Sequence, residues 1–332
     1  MSTYKEIAKI AGVSLSTVSK ALSGSAEISE KTRSSILRIA NELGYFKSKN
    51  LRKLKYNKYE SMNIALICPE IISVHYSSTL TAIKNIIEEK GDNVFVYVTD
   101  FNSEKAKNTI NKLTVDGFID GIILVDVFIK DFSTSIPTVA ITFQDIVSVD
   151  SVGTSMVHLW YDMVAYLKNK GHKKIGFVGE FLTKFEEKHF RLAVSRHNLK
   201  TDENYIYICE CNKRFEQIGN EAAYKIAKQS ERPTAIIAAY AEIGIGLIHR
   251  LLKLGISVPD DISVLAGNNT LACEYSHIPI TSFDLSDEEI AKNATDLLFD
   301  KIINKTDVIK HITLGYKVIE RDSVKEIFKS EP

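Results

Sequence analysis

Eight short apolar runs, at 63–69, 93–100, 120–126, 136–143, 174–179, 204–209, 235–239 and 262–266, follow one another from residue 62 onward. Their length and continuous hydrophobicity read as buried parallel strands. Amphipathic segments at 78–90, 103–115, 155–170, 184–197, 214–230 and 241–254 alternate with them, the first ending at Gly91. Two successive sets of βα units imply an α/β body of two doubly wound parallel-sheet subdomains. Crevices beyond the carboxyl ends of such strands bind ligands, and a cleft between two such halves can close by hinge motion.

The N-terminal stretch obeys a different period. Thr3 can cap a helix whose third position is Glu6, a capping box, with Ile7, Ala8 and Ala11 on one face and Gly12 at the end. Ser14 can cap a second helix at once, in which Val18 and Leu22 face inward while Leu15, Ser16, Ser19 and Lys20 point outward. A third helix, capped by Ser29 and ending at Gly44, carries Ile36, Ile39, Ala40 and Leu43 at i, i+3, i+4 and i+7. Two short helices across a tight turn, buttressed by a third, make a helix-turn-helix. Short side chains on the outward face of the second helix let it approach base edges, hydroxyls reach phosphates or bases, and Lys20 can donate to guanine. Leu15, Ser16 and Lys20 are the expected base readers. Thr3, Ser14, Ser19, Ser29 and Thr32 would position the head on phosphates, with Tyr4 and Tyr45 also in the expected contact set.

Charge supports this. Residues 1–60 hold twelve cations and five anions, net +7, so a chain that is neutral overall carries −7 on the remainder. A basic head on an acidic body is the electrostatic footprint of a nucleic-acid binder.

The run Ile7-Ala8-x-x-Ala11-Gly12-Val13-Ser14-x-x-Thr17-Val18-Ser19-Lys20-x-Leu22, followed by Ile28-Ser29-x-x-Thr32-Arg33 and Leu43-Gly44-Tyr45, resembles the DNA-binding head of the LacI/GalR family of bacterial transcription regulators. The resemblance continues in Ile119-Asp120-Gly121-Ile122-Ile123-Leu124, Gly171-His172-Lys173-Lys174-Ile175, Val258-Pro259-Asp260-Asp261-Ile262-Ser263-Val264 and Glu320-Arg321-Asp322-Ser323. It implies a body similar to periplasmic sugar-binding proteins. It divides the chain into a head at 1–46, a hinge at 47–61 and a body at 62–332, the body's two interwoven subdomains being about 62–155 with 282–304 and 156–281 with 305–325.

In that family the hinge folds on operator DNA and a leucine from each subunit wedges into the minor groove, which the resemblance assigns here to Leu54. Lys47-Ser48 replaces the family's usual Pro-Asn, and a flexible basic tether making phosphate contacts fits the same composition. Sugar-sensing members hold hydroxyl groups with Asp, Asn and Arg over an aromatic ring. At the corresponding places stand Thr142, Glu186, Tyr240-Ala241 and Asn269, so most of that clamp is absent. The residues left to form an effector pocket are His75, Tyr76, Thr142, Trp160, Glu186, Phe190, Phe215, Tyr240 and Asn269, aromatic walls with a few polar groups. Taken singly, several of these fit the core equally well, and Trp160 also fits a subunit interface.

Other chemistry finds little support. No G-x-S-x-G elbow, Walker loop or H-E-x-x-H occurs, and Gly244-Ile245-Gly246 lacks the third glycine of a dinucleotide fingerprint. The chain is expected to be no enzyme and to need no cofactor or metal. Cys209 and Cys211 form a C-x-C without a second ligand pair, which reads as buried thiols before it reads as a metal site. No apolar run reaches the eighteen residues of a membrane span and the N-terminus is no signal peptide, so a cytoplasmic location is expected. The expectation is a homodimeric repressor that binds a pseudo-palindromic double-stranded operator and answers to a small-molecule effector, such as a sugar or sugar phosphate. Two other readings stay open: a body that is a dimerisation and protein-docking module, weakened by Asp296 and Asp300 on the last helix, and a soluble sugar receptor with no DNA role.

Overall fold

The structure is a computed structural model in which residues 4–22, 28–43, 61–127, 129, 134–143, 148–199, 201–209, 213–306 and 308–327 are described. The head consists of α1 (Tyr4–Ala11), α2 (Leu15–Leu22) and α3 (Glu30–Glu42). Gly12 ends α1 at φ +66°, a left-handed conformation that glycine adopts without steric cost. Ser14 Oγ accepts from the Thr17 amide at 3.0 Å, and Ser29 Oγ from the Thr32 amide at 3.2 Å, so each following helix starts on a side-chain cap. Ile7, Ala8, Val18, Ala21, Ile36, Ile39 and Ala40 bury together, with Leu22 and Leu43 packed against them. Each buried Ile or Val stabilises the fold by roughly 1.5–3 kcal/mol, which lets a head this small keep its shape.

The chain forms two compact units, Met1–Ile72 with Leu80–Ile141 and Ala291–Lys310, and Ser73–Thr79 with Thr142–Ile290 and His311–Pro332. In the first, β1 (Asn63–Cys68), β2 (Asn93–Val98), β3 (Gly121–Val125) and β4 (Thr138–Ile141) pair in parallel in the order β2-β1-β3-β4. Helices α4 (Val74–Glu89) and α5 (Ser103–Asp116) supply the crossovers. Asn102 caps α5 and Gly117 ends it at φ +63°.

The second unit contains β6 (Ile175–Glu180), β7 (Ile206–Cys209), β8 (Ala235–Ala238), β9 (Ser263–Ala266), β10 (Thr281–Asp284) and β12 (Lys317–Ile319), in the order β12-β10-β9-β8-β6-β7. All pairs are parallel except β10 with β12. Side chains alternate across the sheet as a two-residue period demands. Ile236 and Ala238 of β8 face one core with α8 (Glu216–Ala227) and α9 (Ala241–Lys253). Ala235 and Ile237 face the other with α6 (Met156–Asn169) and α7 (Lys184–Arg196).

All eight apolar runs are strands. Four further strands were not expected: β5 (Asp150–Gly153), β10, β11 (His311–Thr313) and β12, with β11 parallel to β5. They are short and mixed in polarity, so their pairing comes from the sheets they join.

Helices α8 and α9 approach backbone to backbone. A Cβ on Gly219 would stand 2.1 Å from the Ile243 carbonyl oxygen, and one on Gly246 would stand 2.1 Å from that of Glu216. Gly219 of α8 and Gly246 of α9 therefore let the two helices pack closely, which sets their first turns side by side at the carboxyl edge of the sheet. Short α10 (Leu271–Tyr275) follows β9, and α11 (Asp287–Asn304) follows β10.

Candidate functional site

Two surfaces carry the expected site residues. On α2, Ser14, Leu15, Ser16 and Ser19 are exposed and Lys20 is half-buried, while Val18 and Ala21 are buried on the opposite side. Leu15 is 46% exposed, an apolar side chain held in water at the very start of the helix, and Tyr4 stands exposed at the start of α1. The hydroxyls of Ser14 and Ser29 serve as caps and also lie 2.8 Å from those of Thr17 and Thr32. Their first role is to start helices, and any phosphate contact shares that geometry. Thr3, Tyr45 and Leu54 lie outside the described residues.

The second surface is the carboxyl edge of β6, β8 and β9. Glu180 ends β6 and is 1% exposed; its carboxylate accepts from Arg214 Nε and Nη2 at 3.2 Å and from the Tyr240 hydroxyl at 2.9 Å. The Phe215 amide donates to the same hydroxyl at 3.3 Å. Arg214 lies over the Phe215 ring, its guanidinium carbon 4.5 Å from the centroid, and Phe215 itself holds φ +60° at the start of α8. A bulky residue in that region is strained, and the surrounding contacts hold it there. Burial, then the Glu180 charge and the hydrogen bond to it, pushes the Tyr240 phenol well above its ordinary range, so it stays a donor. Asn268 after β9 closes this edge by accepting from the Ala241 amide at 2.8 Å.

Next to it, Glu242 is buried in the first turn of α9, and its carboxylate accepts from the Val74 amide at 3.3 Å. Burial raises its pKa, Glu216 adds to the rise, and hydrogen bonds and His75 oppose it. His75 packs 5.1 Å from Tyr76 and 6.1 Å from Phe143. His75, Ser78, Asn268, Asn269, Asp284 and Asp287 are among the residues round a cavity of ≈ 30 Å³, room for a water-sized group. The Asn269 oxygen is already engaged by Ser282 and Arg321.

The expected pocket residues therefore divide. Phe215 and Tyr240 are brought together, His75 and Asn269 line the neighbouring cavity, Tyr76 packs against His75 without lining it, and Glu186 is half-buried in the first turn of α7. Thr142 is half-buried, its amide bonded to the Val152 carbonyl. Trp160 and Phe190 are not at the edge. They are 1% and 0% exposed and pack edge-on at 6.4 Å with Phe177 against both, so as core rings they offer a solute no surface. Glu180 and Arg214 were missed by the sequence reading. The detectable signal was an acidic residue as the last of an apolar strand, where burial of the charge requires a partner. Cys209 is buried in the core beside α8, and Cys211 lies outside the described residues. No group of three metal-ligating side chains occurs among the described residues. Among them, too, no helix is long and apolar enough to cross a membrane.

Comparison with known proteins finds matches for both the head and the body. The model of the bacterial regulatory proteins of the lacI family matches residues 3–48, and that of the periplasmic binding protein-like domain matches 164–324. The transcriptional repressor PurR of Pasteurella multocida is 28% identical over 338 residues, covering 98% of this chain and 99% of its own. PurR of Mannheimia succiniciproducens is 26% identical over 340 residues, 98% and 100%. Among solved structures, the lac repressor dimer bound to operator and the anti-inducer ONPF aligns at TM-score 0.70 and 18% identity, covering 98% of this chain and 99% of that one. The regulator CelR in complex with cellobiose aligns at TM-score 0.68 and 20% identity, covering 97% and 100%. These likenesses run through head and body alike: the chain joins a head of the lacI family of bacterial regulatory proteins to a periplasmic binding protein-like body, the make-up of a LacI/GalR regulator.

Proposed function

We propose that this protein is a sequence-specific, DNA-binding transcriptional repressor, acting in the cytoplasm as a homodimer on a pseudo-palindromic operator. The observation that carries the reading is α2: a capped helix whose buried face docks on α1 and α3 and whose outward face presents Leu15, Ser16, Ser19 and Lys20. Leu15, Ser16 and Lys20 read bases, and the remaining polar groups of the head set its register on phosphates. Leu54 wedges into the minor groove between two half-sites. The repressor names of the full-length relatives, and the operator held by the lac repressor dimer, support the assignment.

Control comes from a small molecule at the carboxyl edge of the second unit's sheet, the place where open α/β sheets take ligands. CelR with its cellobiose supports a ligand in such a body. A ligand that prefers one arrangement of the body shifts the population and with it operator affinity.

Selection of the full-length protein against random duplex DNA tests the reading. It should enrich a two-fold symmetric site, and log affinity should fall with log salt at about −0.9 per neutralised phosphate. Recovery of no symmetric site, or affinity flat with salt, would overturn it.

A further inference from the structure

The edge formed by β6, β8 and the start of α8 carries an internal ion pair between Glu180 and Arg214. Its two charges are not equally accessible. Glu180 is sealed, at 1% side-chain exposure, whereas Arg214 is 23% exposed. A solute reaching this edge therefore meets a cation, braced from behind by a carboxylate and a phenol. The guanidinium also lies on the face of Phe215, the ring a neutral sugar would need for stacking.

We infer that the effector of this regulator carries an anionic group, a phosphate ester or a carboxylate, and that Arg214 receives it while remaining paired with Glu180. The inference rests on the reading of this edge as the effector site. A neutral polyol stacking on that face of Phe215 would have to displace Arg214, leaving the buried Glu180 carboxylate with the Tyr240 hydroxyl and no cation, a costly outcome. An anion avoids that cost. It adds to the solvent-accessible part of a planar, delocalised cation that Glu180 and the Phe215 ring help to orient. Tyr240 holds the carboxylate from its other side, and its hydroxyl also fixes the Phe215 amide, so the receptor is organised before ligand arrives. The start of α8 contributes in the same direction, since no side chain caps it and its first amides carry partial positive charge. Glu216, the carboxylate next in sequence, is exposed, so its opposing charge is weakened by solvent though still felt at Glu242.

The test uses the full-length protein and four probes at about 10 mM and constant ionic strength: inorganic phosphate, glucose 6-phosphate, citrate and unmodified glucose. A probe at roughly a hundred times its dissociation constant should raise the melting temperature by about 5 °C. The comparison variant is the double substitution Arg214→Met with Glu180→Gln, which removes the cation without stranding a buried carboxylate; circular dichroism establishes that it folds. A shift with at least one anionic probe, absent with glucose and lost in the double variant, is the expected result. A shift with glucose equal to that with glucose 6-phosphate overturns the inference, as does no shift with any anion. A shift that survives in the double variant also overturns it, because it then belongs to the basic head. Each of these failures leaves operator selection untouched, so loss of the anion receptor and loss of the repressor reading are separate outcomes.

Discussion

Arg321 holds Asn269 in place: its Nη2 donates to the asparagine side-chain oxygen at 3.0 Å, and the Ser282 hydroxyl donates to the same atom at 3.0 Å. Arg321 Nη1 donates in turn to the Ile280 carbonyl at 2.7 Å. The segment after β12 is thus tied to the loop after β9 and the start of β10. Asn269→Ala strips two donors of their acceptor in a part-buried site and should lower stability by about 1–3 kcal/mol. Asn269→Asp, which keeps an acceptor and adds a charge facing Arg321, should recover most of it. Urea unfolding of the two variants decides; an alanine variant as stable as the parent would make the contact incidental.

Gly246 should not tolerate a methyl group. The added carbon would meet the Glu216 carbonyl oxygen at 2.1 Å, backbone against backbone, with no flexible side chain to yield. Gly246→Ala is expected to cost about 1–3 kcal/mol or more and to separate the starts of α8 and α9. Thermal unfolding measures the first effect. The second should appear as a weakened response to any effector that binds at Phe215 and Tyr240.

Lys20→Ala should weaken specific operator binding by about 1–3 kcal/mol while leaving the head folded, because the side chain is on the face away from Val18 and Ala21. Binding titrations on the selected operator and on scrambled DNA separate base reading from a phosphate contact. A loss that is equal on both would reassign Lys20 to the phosphates.

His172 makes stability depend on pH. It is fully buried, with Nε2 3.1 Å from the Lys325 carbonyl oxygen and Nδ1 3.1 Å from the Thr234 hydroxyl. Burial, with a smaller contribution from the Lys325 charge, holds its pKa below the ordinary imidazole value, against the pull of the Lys325 carbonyl. The folded state therefore keeps it neutral where the unfolded chain, at about 6.5, binds a proton. Its contribution is complete above that pH and declines as pH falls toward the lower folded value. Comparing unfolding free energies at pH 7.5 and about pH 5.5, His172→Gln should show a shallower loss on acidification than the parent protein. An unchanged pH slope would remove His172 as its source.

Much of this architecture was legible because it rests on local pattern. The head's caps and apolar faces are set by residues three and four apart, so Ser14, Ser29, Val18 and Ile36 announce their positions without knowledge of the rest of the chain. Six of the eight apolar strands are buried on both faces and leave continuous hydrophobic runs, while the edge strands β2 and β7 are only partly covered. Strands β5, β10, β11 and β12 leave none: Asp150, Ser151, Thr281, Ser282, His311 and Lys317 become strand residues through neighbours distant in sequence.

The sequence by itself determined the helix-turn-helix, the alternating body and the polarity of charge between them, since each follows from short-range periodicity and composition. Only the tertiary structure decided which aromatic residues face solvent and which charges meet. Trp160 and Phe190 share composition and spacing with pocket residues, yet the sheet turns them inward onto Phe177. Glu180 and Arg214 are thirty-four residues apart and come together because β6 ends where α8 begins, with Gly219 and Gly246 letting α8 lie close enough to α9 for Tyr240 to complete the group. A buried carboxylate needs a partner, but its own neighbourhood in the chain does not name that partner; close packing of distant elements does.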